Sequence, residues 1–335
     1  SPAGRFATNC EETDEEFLQD AKAPETTLRA MRAGRIISSN ESPDVPFDRS
    51  INPYQGCEHG CVYCYARPSH SYLDLSPGLD FETRIFYKPN AAERLMEEWQ
   101  KPGYDCRPIT IGANTDPYQP AENTLKVTRQ LLRLFAEYRH PVNIITKSHR
   151  VTRDIDILAD LAADNLSSVA ISIPTMNRDL KRIMEPRVPS AEARLGAIRE
   201  LSAAGVRVSV LVAPIIPAIN DDEIESIIEC SAEAGASQAR YILLRLPHEV
   251  RSLFSEWLES HYPERAEHVL SLIRQASGGK QYDSRFGYRQ SGRGPYAEML
   301  GARFANAAKR FGLKSGSYQE KLDTSAFLHP ARRQL

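Results

Sequence analysis

Short apolar, β-branched runs alternate with amphipathic stretches through the middle of this 335-residue chain, and that alternation narrows the folds open to it. The apolar runs fall at 109–111, 142–146, 168–173, 206–212 and 239–246. Stretches with helical spacing lie between and around them, at 91–100, 125–138, 155–163, 191–204 and 222–234. Gly205 and Gly235 each close a helical pattern just before a strand, where a C-cap glycine belongs. Strands separated by helices predict βα units joined by right-handed crossovers around a parallel sheet. With a first strand placed just before Cys57 the units number six. A closed eight-strand barrel needs two more strands than residues 247–335 offer. That stretch reads instead as helices at 250–261 and 263–276, a Gly/Arg-rich loop, and a helix at 296–311. Residues 1–50 are polar and read as an irregular lead-in with one helix near 25–34.

Parallel βα folds gather their chemistry at the C-terminal ends of the strands. Polar or unusual residues do follow the apolar runs here. The run at 109–111 leads into Gly112-Ala113-Asn114-Thr115-Asp116-Pro117, and Thr146 into Lys147-Ser148-His149-Arg150. The next strands end in Ser172-Ile173-Pro174-Thr175 and Ala213-Pro214-Ile215, and the sixth contains Leu244-Arg245-Leu246-Pro247. Arg240 and Arg245 in that strand would add anion-binding charge if they face the interior. All these segments should share one rim.

The same rim should carry Cys57-Glu58-His59-Gly60-Cys61-Val62-Tyr63-Cys64, three cysteines at spacings of three residues and then two. Three thiolates so placed can hold three irons of a cubane cluster, leaving the fourth iron open to a small molecule. Zinc is the alternative, with His59 or His70 as fourth ligand, although zinc sites usually show two spaced pairs. Disulfides suit small secreted domains rather than a chain of this length with no recognisable signal peptide. Clustered cysteines point to a reducing compartment, and the expected location is cytoplasmic. No apolar run is long enough to span a bilayer, so no membrane partner is expected.

Net charge is −2, but it is unevenly spread. Residues 277–335 carry eleven Lys/Arg against four acids. This basic region is either a surface for phosphates and nucleic acid or a solvated helical face. Within it, residues 282–296 interleave Arg285, Arg289 and Arg293 with Tyr282, Phe286, Tyr288 and Tyr296 among glycines. Arginines for phosphates and aromatics for bases suit single-strand or flipped-base binding. A plain connecting loop, or one plugging the open side of the barrel, is the simpler reading.

The cysteine pattern, with Tyr63 just before its last member, resembles the radical S-adenosylmethionine (SAM) superfamily. The βα units at 50–250 are similar to its six-unit barrel. Thr115-Asp116, Thr146-Lys147 and Tyr63-Cys64-Tyr65 resemble the spore photoproduct lyase branch, and 114–120 with Met184-Glu185-Pro186-Arg187 resemble an uncharacterised bacterial subgroup of it. The resemblance implies an α/β fold with a partial (β/α)6 barrel at 50–250, an N-terminal extension at 1–49 and a basic, helical C-terminal region at 251–335 covering the barrel. It implies an enzyme with a 4Fe-4S cluster that cleaves SAM reductively to a 5′-deoxyadenosyl radical, which abstracts hydrogen from a substrate. An external one-electron reductant of flavodoxin or ferredoxin type would supply the electron.

It also implies roles. Cys57, Cys61 and Cys64 would hold the cluster, and backbone around Tyr63 would touch the adenine. Asn114, Thr115 and Asp116 would meet the methionine amino group, although the same string makes ordinary turns. Lys147 would pair with the SAM carboxylate, or be a surface lysine. Ser172 and Thr175 would meet the ribose, or cap the next segment. Arg187 would assist at the carboxylate, or lie on a helix surface, and Pro214 with its neighbours would pack on the adenine. Tyr65 and Tyr63 match the lyase's tyrosine pair, so Tyr65 is a candidate radical relay. Ala113 stands where the lyase carries a hydrogen-donor cysteine, which puts thymine-dimer reversal in doubt but not SAM cleavage. The rival reading is an iron–sulfur electron-transfer or nucleic-acid-binding module that does not cleave SAM.

Overall fold

The computed structural model describes residues 25–279, 285–315 and 321–332. Its strands in chain order are β1 (Thr27–Ala30), β2 (Ser38–Ser39), β3 (Arg49–Ile51), β4 (Tyr54–Gln55), β5 (Arg84–Tyr87), β6 (Ile109–Ile111), β7 (Val142–Thr146), β8 (Ser167–Ser172), β9 (Arg207–Ile215) and β10 (Gln238–Leu243). β3, β6, β7, β8, β9 and β10 lie side by side in that order, each parallel to the next, and β2 pairs antiparallel outside β3. These are the six units expected. The sheet does not close, because β2 and β10 are its two edges.

Hydrophobic alternation explains which face each strand presents. In β9, Val208, Val210 and Val212 are buried, whereas Arg207, Ser209, Leu211 and Ala213 on the other side are only half-buried. The buried valines join Leu201, Ile227 and Ile228 in the main core, so this side faces the helices Ala191–Ala203 and Ile224–Glu233. The other side is the concave face. Its lower row is polar: Ser50 pairs with Thr110, Thr110 with Asn143, and Asn143 with Ser168. The helices start and stop where local chemistry directs. Asn177 Oδ1 accepts from the amides of Asp179 and Leu180 at 2.9 and 3.0 Å, opening Arg178–Met184. Gly205, at φ +81°, follows Ala191–Ala203 in a conformation that favours glycine.

A second core joins the cysteine loop to the C-terminal helices. Val62, Met184, Phe254, Trp257 and Val269 are buried together, and the Trp257 indole N–H donates to the Ile183 carbonyl at 3.1 Å. The helices Val250–His261 and Ala266–Ala276 thereby cover the loop. Between the sheet edges, the Leu243 amide of β10 donates to the Gln290 carbonyl at 2.8 Å. The Gly287 amide and the Arg289 guanidinium both bond to Asp44, in the segment after β2. The Arg/Tyr/Gly-rich loop therefore runs from one edge to the other.

Two expectations need correction. No helix forms at 25–34; β1 forms there instead, and with β5 and β4 it builds a separate three-stranded sheet in the order β1-β5-β4. All four β1 residues are exposed, so no buried face holds the strand; backbone pairing with β5 does, with the Thr27 hydroxyl donating to Thr83 O at 3.4 Å, and that tertiary pairing overrides local propensity. The sixth strand ends at Leu243, which leaves Arg245 and Leu246 in the following loop. Tyr282, expected in the aromatic series, lies outside the described residues. Among them no helix is long and apolar enough to cross a membrane.

Candidate active site

The cysteine loop follows β3 and β4, and its polar backbone is occupied from several directions. The Cys57 amide donates to Phe81 O at 2.9 Å and the Val62 amide to Met184 O at 3.1 Å. Arg67 is fully buried and donates to Cys61 O through Nε and Nη2, at 3.0 and 2.8 Å. The same guanidinium meets Glu82 at 2.6 Å. Arg187 bonds to the other Glu82 oxygen and to the Glu58 carbonyl. One buried carboxylate thus ties two arginines to both ends of the loop. Gly60 lies between them at φ +68°, and a methyl group there would meet Glu82 Oε2 at 2.6 Å.

With the backbone satisfied, the thiols are what the loop presents. Cys57 and Cys61 are buried and Cys64 is half-buried. Burial raises all three thiol pKa values; Asp116 and the other two thiols add to this at Cys57, while Glu185 adds to it at Cys61, which reaches about 12. Such a set favours a cationic partner, which would reverse that shift. Among the described residues no group of three or more His, Cys, Asp or Glu converges as a single metal ion requires. The loop itself offers three thiols, one for each of three irons of a cubane, whereas a structural zinc closes four protein ligands. Both ring nitrogens of buried His59 lack a hydrogen-bond partner, with Asp116 Oδ2 3.4 Å from Nδ1.

A polar chain runs inward from Tyr63. Its hydroxyl donates to buried Glu185, which also receives Arg194 Nη2 at 2.7 Å, and Arg194 Nη1 reaches the Ser172 carbonyl at 2.8 Å. Lys147 Nζ donates to Ser172 Oγ at 2.7 Å, lies 3.7 Å from Glu185 Oε1 and sits 5.4 Å above the Tyr63 ring. Burial would raise the Glu185 carboxyl, but Arg194, Lys147 and the Tyr63 hydroxyl together hold it below its ordinary value. The site therefore brings together Tyr63, Lys147 and Ser172 from three elements distant in sequence.

The other candidates occupy the same rim with different partners. Asp116 accepts from Thr146 Oγ1 at 2.7 Å, the Tyr118 amide at 2.9 Å and the Lys147 amide at 2.7 Å. Thr115 Oγ1 donates to Tyr54 O at 2.8 Å, and Asn114 is exposed. Thr175 is buried and its hydroxyl bonds to Glu223. Pro214 is buried, its carbonyl accepting from Asn220 Nδ2 at 3.0 Å. Tyr65 is 43% exposed at the mouth; its hydroxyl donates to Ala113 O, and Arg245 lies over its ring at 5.2 Å. Phe286 and Tyr288 are exposed on the loop between the sheet edges.

Arg67, Glu82 and Arg194 have no sequence signal that separates them from ordinary helix-surface charges. Glu185 stands in Met184-Glu185-Pro186-Arg187, yet only the fold shows that its carboxylate lies 3.7 Å from Lys147 while Arg187 turns to Glu82.

The family model of the radical SAM superfamily matches residues 51–230. Uncharacterised proteins of Mycobacterium bovis and Mycobacterium tuberculosis are each 32% identical over 298 residues, spanning 87% of this chain and 82% of the relative. A radical SAM Nalpha-GlyT isomerase of Pseudomonas phage M6 is 24% identical over 233 residues, spanning 68% of this chain and 46% of that protein. The solved structure of spore photoproduct lyase complexed with dinucleoside spore photoproduct superposes with a TM-score of 0.61 at 18% identity, over 87% of this chain and 82% of that one.

Proposed function

The chain belongs to the radical SAM superfamily and is an enzyme of SAM-dependent radical chemistry; on that premise we propose that it abstracts hydrogen from a nucleotide-bearing or other phosphate-bearing substrate. The observation that carries the SAM reading is the three-thiol loop, backbone-satisfied, beside the Tyr63–Glu185–Lys147–Ser172 network on one rim. The family implies a 4Fe-4S cluster and SAM, which together supply reductive cleavage of the sulfonium bond and a 5′-deoxyadenosyl radical.

In this proposal Cys57, Cys61 and Cys64 hold the cluster. The arginine pair on Glu82 fixes the loop's curvature. Lys147 is aimed by Ser172 and Glu185 and pairs with the SAM carboxylate, leaving Ser172 within reach of the same ligand. Tyr63 offers its backbone to the adenine, because its ring is locked by Glu185. Pro214 packs on the adenine from the end of β9. The exposed Asn114 meets the methionine amino group. Asp116 and Thr115 support it by fastening the loop to β7 and β4, their polar atoms being engaged. Thr175 and Arg187 hold the rim through Glu223 and Glu82. Tyr65, at the mouth, is the residue placed to relay a radical, since Ala113 offers no thiol. The electron comes from a flavodoxin- or ferredoxin-type donor.

Two features support the substrate class. Phe286 and Tyr288 are exposed beside arginines, a pairing that suits bases and phosphates. The fold neighbour was solved with a dinucleoside. Deuterium transfer tests the class: incubating the reconstituted, dithionite-reduced enzyme with perdeuterated oligonucleotides and SAM should give deuterated 5′-deoxyadenosine. Label arising only from substrates that carry no phosphate would overturn it.

Lys147→Gln removes a charged hydrogen bond of about 1.5–3 kcal/mol. The SAM concentration for half-maximal cleavage should rise about ten- to hundredfold. Steady-state titration checks this, and an unchanged value would remove Lys147 from the SAM site.

A further inference from the structure

We propose that Arg240 anchors an oxyanion of the substrate, a phosphate or a carboxylate, on the concave face of the sheet. The inference rests on the reading above, since it needs the concave face to be the substrate's side.

Register fixes where Arg240 lies. Ser172 of β8 pairs with Leu211 of β9, and Leu211 pairs with Arg240 of β10. Partners in a parallel ladder project to the same face. Ser172 points to the concave side, because its hydroxyl holds Lys147. The next residue of β10, Tyr241, pairs with buried Val212 and packs on Phe304, on the helix side. Arg240 therefore stands in the row of Ser172, two strands away, about 10 Å across the sheet.

Its surroundings set it apart from the other cations of the site. Lys147 and Arg194 share Glu185, while Arg67 and Arg187 share Glu82. Arg240 is half-buried, its Nη2 is buried without a hydrogen-bond partner, and no carboxylate among the described residues pairs with it. Burial alone acts on its pKa, in the lowering direction. A desolvated guanidinium without a counter-charge is destabilising, and chains retain such groups where function uses them. Five donors in a planar fork suit the oxygens of a phosphate or carboxylate. With the SAM carboxylate assigned to Lys147, the anion left for Arg240 belongs to the substrate.

Anaerobically reconstituted enzyme should be melted with pyrophosphate and, separately, with succinate at fixed ionic strength. At least one anion should raise the wild-type Tm. A larger response to pyrophosphate assigns a phosphate, and a larger response to succinate a carboxylate. Arg240→Met should melt above wild type without anion and lose the response, while Arg240→Lys keeps part of it. A response undiminished in Arg240→Met, a wild type indifferent to both anions, or a lower Tm for Arg240→Met without anion would each overturn the proposal. Formation of 5′-deoxyadenosine by the same wild-type preparation reports separately on the SAM reading, so failure of one does not pass for failure of the other.

Discussion

Alanine at Cys57, Cys61 or Cys64 is expected to give a folded protein that no longer forms 5′-deoxyadenosine and holds little of its iron. The thiols do not build the loop; its geometry comes from Arg67, Arg187 and Glu82 and from amides bonded to Phe81 and Met184. Losing one small sulfur from this packing should cost about 1 kcal/mol, the central value for a point change. Losing one ligand of a cluster held by three removes the chemistry outright. Circular dichroism and iron and sulfide analysis on the same samples separate the two effects. Cys106→Ala and Cys230→Ala provide the contrast. Cys106 precedes β6 at the opposite end of the sheet, and Cys230 sits in the helix Ile224–Glu233, so both should keep iron and activity. A Cys61→Ala enzyme with full iron content would contradict the ligand assignment.

A large effect on stability is expected from Glu185→Ala. Glu185 and Arg194 both have fully buried side chains and pair at 2.7 Å. Removing the carboxylate leaves a buried guanidinium uncompensated, which costs about 3–5 kcal/mol. It also takes the acceptor from the Tyr63 hydroxyl and a neighbour from Lys147, so SAM binding should weaken with stability. Glu185→Gln keeps an acceptor and should lose less. Urea unfolding monitored by fluorescence gives the difference, and a loss below about 1 kcal/mol would mean the pair behaves like an exposed one. The carboxyl is held below its ordinary value in the folded state, so this contribution is present at neutral pH. It fades as pH falls through the unfolded value and then the lower folded one.

The parallel strands and most helices are legible in the sequence because each signal is local. Ile155–Ala163 and Val250–His261 fall where their apolar periodicity puts them. β1 is not legible, because its four residues are exposed and it depends on pairing with β5 rather than on a buried face. The site divides in the same way. The cysteines are visible through spacing, and Lys147 and Ser172 through their place just after apolar runs. The roles of Arg67, Glu82, Glu185 and Arg194 depend on buried ion pairs between residues up to 105 positions apart, which no spacing encodes. Arg240 is visible in the sequence as a strand arginine open to either face, and the register of β8, β9 and β10 turns it inward.

One measurement tests the central claim most directly. Protein purified without oxygen, reconstituted with iron and sulfide, and reduced with dithionite is given SAM alone, and the products are quantified. The account predicts 5′-deoxyadenosine and methionine in equal amounts, with none from the Cys61→Ala enzyme. A fully loaded wild-type cluster that leaves SAM intact would contradict it and leave an iron–sulfur electron carrier as the better description.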